Sequence, residues 1–141
     1  MKQSNRSIPN ATVIPFLSYP DVDQAAAWLC DAFGFSVRLR IGGHRVQMNV
    51  GDGAVIVGEM RPHEVSGQLG LGHSVLVRVD DADAHCQRAR TRGAKILREP
   101  ATHPYGERQY NAEDLAGHLW TFSQSVVDAD PREWGGTPEE M

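Results

Sequence analysis

The chain has 141 residues, of which 40% are hydrophobic and 23% charged, and its net charge is −4. This length suits one domain of ordinary soluble composition, and no apolar run approaches the ~20 residues of a membrane span. The net charge argues against nucleic-acid binding, which needs a clustered basic surface. Two cysteines without C-x-x-C spacing and an N-terminus without an apolar leader lead us to expect a cytoplasmic protein.

The first half of the chain predicts a strand, a helix and three further strands. The run FLSY precedes Asp21, which has the form of a helix N-cap with Gln24 as its capping-box partner. Apolar residues then recur at spacings of three and four until Gly34, which is suited to end the helix. The strand-like runs SVRLRI, HRVQMNV and AVIVGEM follow, separated by glycine turns.

The second half repeats this order about 60 residues later, so that Asp81 takes the place of Asp21 and Gly93 that of Gly34. Its later strands are predicted at AKILRE, ERQYNA and HLWTFSQSV. We therefore divide the chain into a first module at residues 12–60, a linker at 61–72, a second module at 73–127 and a C-terminal tail at 128–141.

Several motifs in this order resemble the vicinal oxygen chelate superfamily of glyoxalases, bleomycin-resistance proteins and dioxygenases. They are VIPFLSY, AFGF, VRVDDADAH, RGAKILREP, YGERQY and DLAGHLWTF, and together they are most similar to the PhnB-like, glyoxalase-like subgroup. The resemblance implies an α+β fold in which tandem βαβββ modules form one cupped mixed β-sheet. It also implies that the inward side chains of the cup bind a small molecule.

Metal-dependent members of this superfamily hold a divalent ion with one residue from the first and one from the last strand of each module. The flanking motifs carry these positions onto Ile14, Val57, Ser74 and Thr121. Two are aliphatic and two are neutral hydroxyls, which bind Zn²⁺ or Fe²⁺ poorly. We therefore expect no metal cofactor. The alternative is a divalent metal at His73, which requires the strand register to slip by one residue.

The resemblance to bleomycin-resistance proteins implies a homodimer that binds an apolar or aromatic small molecule in a metal-free cup. The polar groups Arg38, Arg40, Gln47 and Asn49 are candidates to supplement the apolar lining. The predicted ligand-binding residues are Ile14, Phe16, Val57, Leu76, Arg108, Tyr110, Leu119 and Thr121.

The hairpin YGERQYNAEDLAGHLWTF contains residues that we expect to be structural and others that are candidates for ligand binding. Trp120 and His118 fall on the strand face that packs under the helices, so we expect both to be structural. Tyr105 and Arg108 have two open interpretations. They bind an anionic or aromatic ligand, or they form a cross-strand pair and an ion pair to a nearby acid.

An enzyme is the alternative to a binding protein. It would be a lyase, an isomerase or a dioxygenase-like protein with a relocated metal, or a metal-free acid–base catalyst. The catalytic candidates are Tyr105, Arg108 and His103.

Overall fold

The computed structural model describes residues 3–65 and 67–138. Ser66 of the predicted linker and residues 139–141 of the predicted tail lie outside the described residues. The first module contains β1 (Phe16–Tyr19), α1 (Val22–Phe33), β2 (Ser36–Ile41), β3 (Arg45–Val50) and β4 (Gly53–Glu59). The second contains β5 (Val75–Arg78), α2 (Ala82–Thr91), β6 (Lys95–Thr102), β7 (Glu107–Glu113) and β8 (Leu119–Ser125). This order confirms the predicted repeat.

Each module forms a four-stranded mixed sheet, in the order β1-β4-β3-β2 and β5-β8-β7-β6. The first strand of each module pairs in parallel with the last, and the other neighbours are antiparallel. The predicted α+β fold with mixed sheets is therefore confirmed. Within the part of the chain that the structure describes, no strand of one sheet pairs with the other sheet, so β1 and β5 are edge strands.

The helix boundaries follow the predicted capping signals. The Asp21 carboxylate accepts a hydrogen bond from the backbone N–H of Gln24 at 3.0 Å, and Asp81 accepts one from Ala84 at the same distance. Gly34 ends α1 with a φ of 80°, a left-handed conformation that a side chain disfavours. Neither helix of the described residues is long and apolar enough to cross a membrane.

The two modules share one hydrophobic core, which lies on the helix-facing sides of the two sheets. Phe33, at the end of α1, contacts Trp120 and Phe122 of β8 with ring centroids 5.4 and 4.8 Å apart. Trp120 is 1% exposed and His118 3%, which confirms that both belong to the framework. The opposite side of each sheet points away from the helices. We call these sides the first cup face (Phe16, Gln47, Ile56, Gly58) and the second cup face (Leu76, Asn111, Leu119, Thr121, Ser123).

A buried carboxylate joins the modules. Asp114, in the turn before β8, accepts hydrogen bonds from the Tyr19 hydroxyl at 2.5 Å and from Trp120 Nε1 at 3.1 Å. His118 Nε2 donates to the Ser18 carbonyl oxygen at 2.6 Å. Burial, together with the negative charge of Asp114, raises the pKa of Tyr19 well above its usual value, so the phenol stays a donor.

Candidate functional site

The second cup face carries an open apolar surface. Leu76 is 58% exposed and Leu97 44%, and Leu119 is half-buried beside them. Asn111 Nδ2 donates to Thr121 Oγ1 at 2.6 Å, which places one amide oxygen and one hydroxyl beside the leucines. A cavity of about 320 Å³ lies here, within the size range of small-molecule sites. It is lined by Ser74, Leu97, Arg98, Asn111, Ala112, Leu119, Trp120 and Thr121.

Three of the predicted ligand-binding residues therefore lie together. Leu76 and Thr121 are direct partners across the parallel β5–β8 pair, and Leu119 precedes Thr121 on the same face. Sequence reasoning did not predict Leu97 or Asn111. Each comes from a different strand of the module, so only the sheet register brings them to this cavity.

The other end of the second cup face is polar. Tyr105 donates from its hydroxyl to Gln109 Oε1 at 2.8 Å, and Gln109 Nε2 donates to Ser123 Oγ at 3.0 Å. Ser123 Oγ donates in turn to Glu107 Oε1 at 2.7 Å. Hydrogen bonds from Ser125 and Ser123 lower the pKa of Glu107, so this carboxylate is ionised at neutral pH. A second cavity, of about 460 Å³, lies between Tyr105, Glu107 and residues 125–129.

An aromatic stack covers this polar end. The rings of His103 and Tyr105 are parallel, with centroids 5.1 Å apart, and Trp134 meets Tyr105 edge-on at 5.5 Å. The predicted tail thus packs on the domain between the end of β8 and Trp134, with a 3₁₀ helix at Pro131–Glu133. The tail fixes the Tyr105 ring and leaves its hydroxyl directed at Gln109.

Two predicted ligand-binding residues are misplaced, because both lie in the core. Val57 and Tyr110 are each 0% exposed. The Tyr110 hydroxyl donates to His85 Nδ1, and His85 Nε2 donates to the Phe33 carbonyl oxygen at 3.0 Å. Burial raises the pKa of Tyr110 and lowers that of His85, so both groups are neutral at pH 7.

The error at Val57 is one residue of register. Thr121 pairs with Leu76 in the second module, and the corresponding partner of Phe16 in the first module is Ile56. Ile56, rather than Val57, is therefore the first-module equivalent of Thr121. A shift of one residue along a strand turns the side chain to the opposite face, which puts Val57 into the core.

Arg108 is directed away from the second cup face. Its Nε and Nη2 donate to the two carboxylate oxygens of Asp83 on α2 at 2.9 and 3.0 Å, which lowers the pKa of Asp83. Tyr105 and Arg108 therefore do not converge on one site. The ion-pair interpretation of Arg108 is supported, although its partner lies on a helix rather than in the hairpin.

The first cup face is largely covered. Phe16 lies over Gly58, and the guanidinium groups of Arg45 and Arg61 are 5.3 and 5.0 Å from its ring centroid. Ile14 is half-buried just before β1.

The four polar side chains that were predicted to supplement the apolar lining all make hydrogen bonds to other groups of this chain. Arg40 pairs with Asp23 on α1 at 3.5 Å, and Asn49 donates to Ser36 at 3.2 Å. Arg38 and Gln47 bind the segment that precedes β1.

The four positions implied for a metal do not fit one. Ile14, Val57, Ser74 and Thr121 supply no imidazole, carboxylate or thiolate. His73 is exposed, and its ring centroid is 6.0 Å from that of His118. Within the described part of the chain, His118 Nδ1 has no hydrogen-bond partner. Among the described residues, no group of three histidine, cysteine or acidic side chains is arranged to hold a metal ion.

The fold and the sequence assign the chain to a family. The model of the Glyoxalase/Bleomycin resistance protein/Dioxygenase superfamily matches residues 11–122, and the chain belongs to this superfamily. TioX from Micromonospora sp. ML1 is 34% identical, with a TM-score of 0.70 over 83% of this chain and 100% of that one. No curated protein sequence matches the chain significantly.

Two further solved structures share the fold. A glyoxalase-related enzyme from Fulvimarina pelagi is 15% identical, with a TM-score of 0.68 over 86% of this chain and 99% of that one. A glyoxalase/bleomycin resistance protein from Streptomyces sp. CB03234 is 24% identical, with a TM-score of 0.64 over 79% and 97% of the two chains.

Proposed function

We propose that this protein binds a small apolar or aromatic molecule against the second cup face, without a metal, and that a homodimer completes the site. The observation that carries the proposal is the cavity where Leu97 and Leu119 lie around the Asn111–Thr121 pair. Leu76 lies exposed next to Thr121 on the neighbouring strand. Apolar contact supplies affinity in such a site, and a few fixed polar groups orient the ligand.

The exposed surface of the chain supports the homodimer. A monomer of 15.5 kDa is expected to expose about 7,200 Å², from the usual scaling of surface with mass. This chain exposes 8984 Å². The excess is roughly 1,800 Å², more than the ~800 Å² that each partner buries in a standard interface.

We place the second copy at the edge strands β1 and β5, which pair on one side only within the described residues. A cavity of about 330 Å³ lies between the two modules near these edges, lined by Val13, Pro15, residues 50–55 and residues 75–78. Exposed edges of this kind favour association with another strand. A partner that covers them would also close the open side of the second cup face. We also propose that the protein is cytoplasmic and belongs to the PhnB-like subgroup.

The test is a fluorescence titration with 8-anilinonaphthalene-1-sulfonate, an apolar aromatic probe. Leu76→Gln is expected to weaken binding at least about tenfold, since it puts an amide where a bound ligand would cover an exposed apolar side chain. Leu115→Gln is the matched control, because Leu115 is an exposed leucine in the turn before β8 and is expected to leave binding unchanged. Equal binding by both variants would contradict the proposal.

Sedimentation equilibrium tests the dimer separately. We expect about twice the chain mass of 15.5 kDa for the wild type. Repeating the measurement on Leu76→Gln separates loss of a ligand contact from loss of the dimer.

Metal-free acid–base catalysis is the second candidate function. It is favoured by the cavity of about 460 Å³, where Tyr105 lies beside the ionised carboxylate of Glu107. Glu107 would accept a proton there, and the stacked His103 would hold the Tyr105 ring. Slow turnover of the bound molecule that Glu107→Gln abolishes, with binding retained, would establish it.

The relocated metal has its own test, which is elemental analysis after incubation with Zn²⁺, Ni²⁺, Mn²⁺ or Fe²⁺. Near one ion per chain, lost in His73→Ala, would establish a metal site. Less than ~0.1 per chain in every case would exclude a tightly bound ion.

A further inference from the structure

The segment before β1 crosses the first cup face and is held there by two side chains. Gln47 Nε2 donates to the carbonyl oxygen of Ser7 at 2.8 Å, and Arg38 Nη2 donates to that of Arg6 at 3.0 Å. The Arg38 guanidinium also donates through Nη1 to Gln47 Oε1 at 2.5 Å, so the two side chains form one unit. Pro9 is buried and lines one cavity with Arg38. We call residues 5–9 the strap.

The strap accounts for the burial of Gln47. This glutamine lies on the side of the sheet that points away from the core, yet it is only 3% exposed. The equivalent position in the second module is Asn111, because Asn111 pairs with Thr121 as Gln47 pairs with Ile56. Asn111 is only half-buried and borders the open cavity. The chain therefore has one covered and one open cup face at equivalent positions.

The hydrogen-bond donors beneath the strap, on Arg38 and Gln47, suit a negatively charged acceptor. Among the described residues, no carboxylate lies within ion-pairing distance of Arg38, although Asp52 is at the rim of the same cavity of about 240 Å³. Arg38 is half-buried, and the hydrogen bonds it makes to the described residues go to neutral carbonyl oxygens. A carboxylate or sulfonate would make shorter, charge-assisted hydrogen bonds to the same fork.

We propose that the first cup face is a second ligand site, closed by the strap, in which Arg38 and Gln47 bind the acidic group of an apolar or aromatic acid. The two strap carbonyl groups occupy the positions that the oxygens of the acid would take. The ligand and the strap therefore compete, and the site opens when residues 5–9 leave it. This proposal extends the binding function to a second face but does not depend on a ligand at Leu76.

Trypsin cleavage after Arg6 reports the closed strap in the full-length chain, because the scissile carbonyl group is the one that Arg38 holds. Gln47→Leu and Arg38→Met are expected to speed this cleavage at least about tenfold, since each removes an anchor that must open before cleavage. Arg40→Met is the matched control, because Arg40 is on the same strand and pairs with Asp23 on α1. Cleavage in the wild type as fast as in Gln47→Leu would overturn the strap.

Binding of an acid at the first cup face is tested with 8-anilinonaphthalene-1-sulfonate in the same trypsin-cleavage assay. Saturating probe is expected to speed cleavage after Arg6 in the wild type but not in Arg38→Met. A synthetic peptide of residues 3–11 serves as the control for any effect of the probe on trypsin. No acceleration in the wild type would overturn the acid-binding site.

A chain that begins at Ala11 after an initiator methionine gives the independent measurement. It is expected to bind a probe molecule at the first cup face at least about tenfold more tightly than the 141-residue protein does, because no strap competes, and Arg38→Met in the shortened chain is expected to abolish this gain. An unchanged affinity, with a wild-type circular dichroism spectrum, would contradict the proposal. Binding at Leu76 can fail while this difference persists, so the two proposals are separable.

Discussion

Removing the Asp114 carboxylate is expected to destabilise the contact between the two modules. The carboxylate is 7% exposed and accepts from Tyr19, Trp120 and the backbone N–H groups of Ala116 and His118. In Asp114→Ala the Tyr19 hydroxyl and Trp120 Nε1 lose their acceptor inside the core. An unsatisfied buried donor costs about 1–3 kcal/mol, so we expect a loss of about 3–5 kcal/mol.

Urea unfolding followed by tryptophan fluorescence measures this loss, with an unchanged m-value showing that the folded state is retained. For a chain of this length the Tm should fall by roughly 10–15 °C. Tyr19→Phe is the graded control, because it removes one donor and leaves the carboxylate three others, and it should cost about 1 kcal/mol. A loss below about 1 kcal/mol in Asp114→Ala would refute the assignment of Asp114 as the joint of the modules.

Three further predictions follow from local geometry. Burial lowers the pKa of His85, so on lowering the pH the unfolded chain takes up a proton on this imidazole before the folded chain does, and stability should decline below about pH 6.5. His85→Gln should flatten this decline in urea midpoints measured between pH 7.5 and 5, and an unchanged slope would contradict the prediction. Arg108→Met should leave probe affinity at the wild-type value and stability nearly unchanged, because its ion pair with Asp83 is exposed and lies on the helix side; a tenfold weaker affinity would restore Arg108 to the site. Gly70→Ala should destabilise by about 1–3 kcal/mol in the same urea assay, because its Cβ would lie 2.2 Å from the Gly117 carbonyl oxygen; an unchanged midpoint would contradict that tight contact.

The architecture was predictable because its signals are local. The caps at Asp21 and Asp81, the apolar spacing of the helices and the glycine turns each specify an element within a few residues. The burial of Trp120 and His118 followed from strand alternation near a turn, which is also local.

The side-chain placements that failed depend on longer distances. Ile56 and Thr121 are 65 residues apart in the chain. Counting along the last strand of each module from Gly53 and Gly117, which are 64 apart, sets Val57 opposite Thr121, one residue off and on the wrong face.

The pairing of Arg108 and the covered first cup face were beyond sequence reasoning for a similar reason. Arg108 pairs with Asp83, which lies 25 positions away on α2, and nothing in the hairpin sequence indicates it. The strap is irregular and has no periodicity, so no pattern indicates that it would cross Gln47.

The measurement that tests the central claim most directly is a ¹H–¹⁵N correlation spectrum of the ¹⁵N-labelled protein during titration with 8-anilinonaphthalene-1-sulfonate. Binding at the second cup face predicts the largest shift changes at β5 and at residues 119–121 of β8, with small changes on α1. Shift changes confined to other surfaces, or none at millimolar probe, would contradict the assignment of the second cup face as the ligand site.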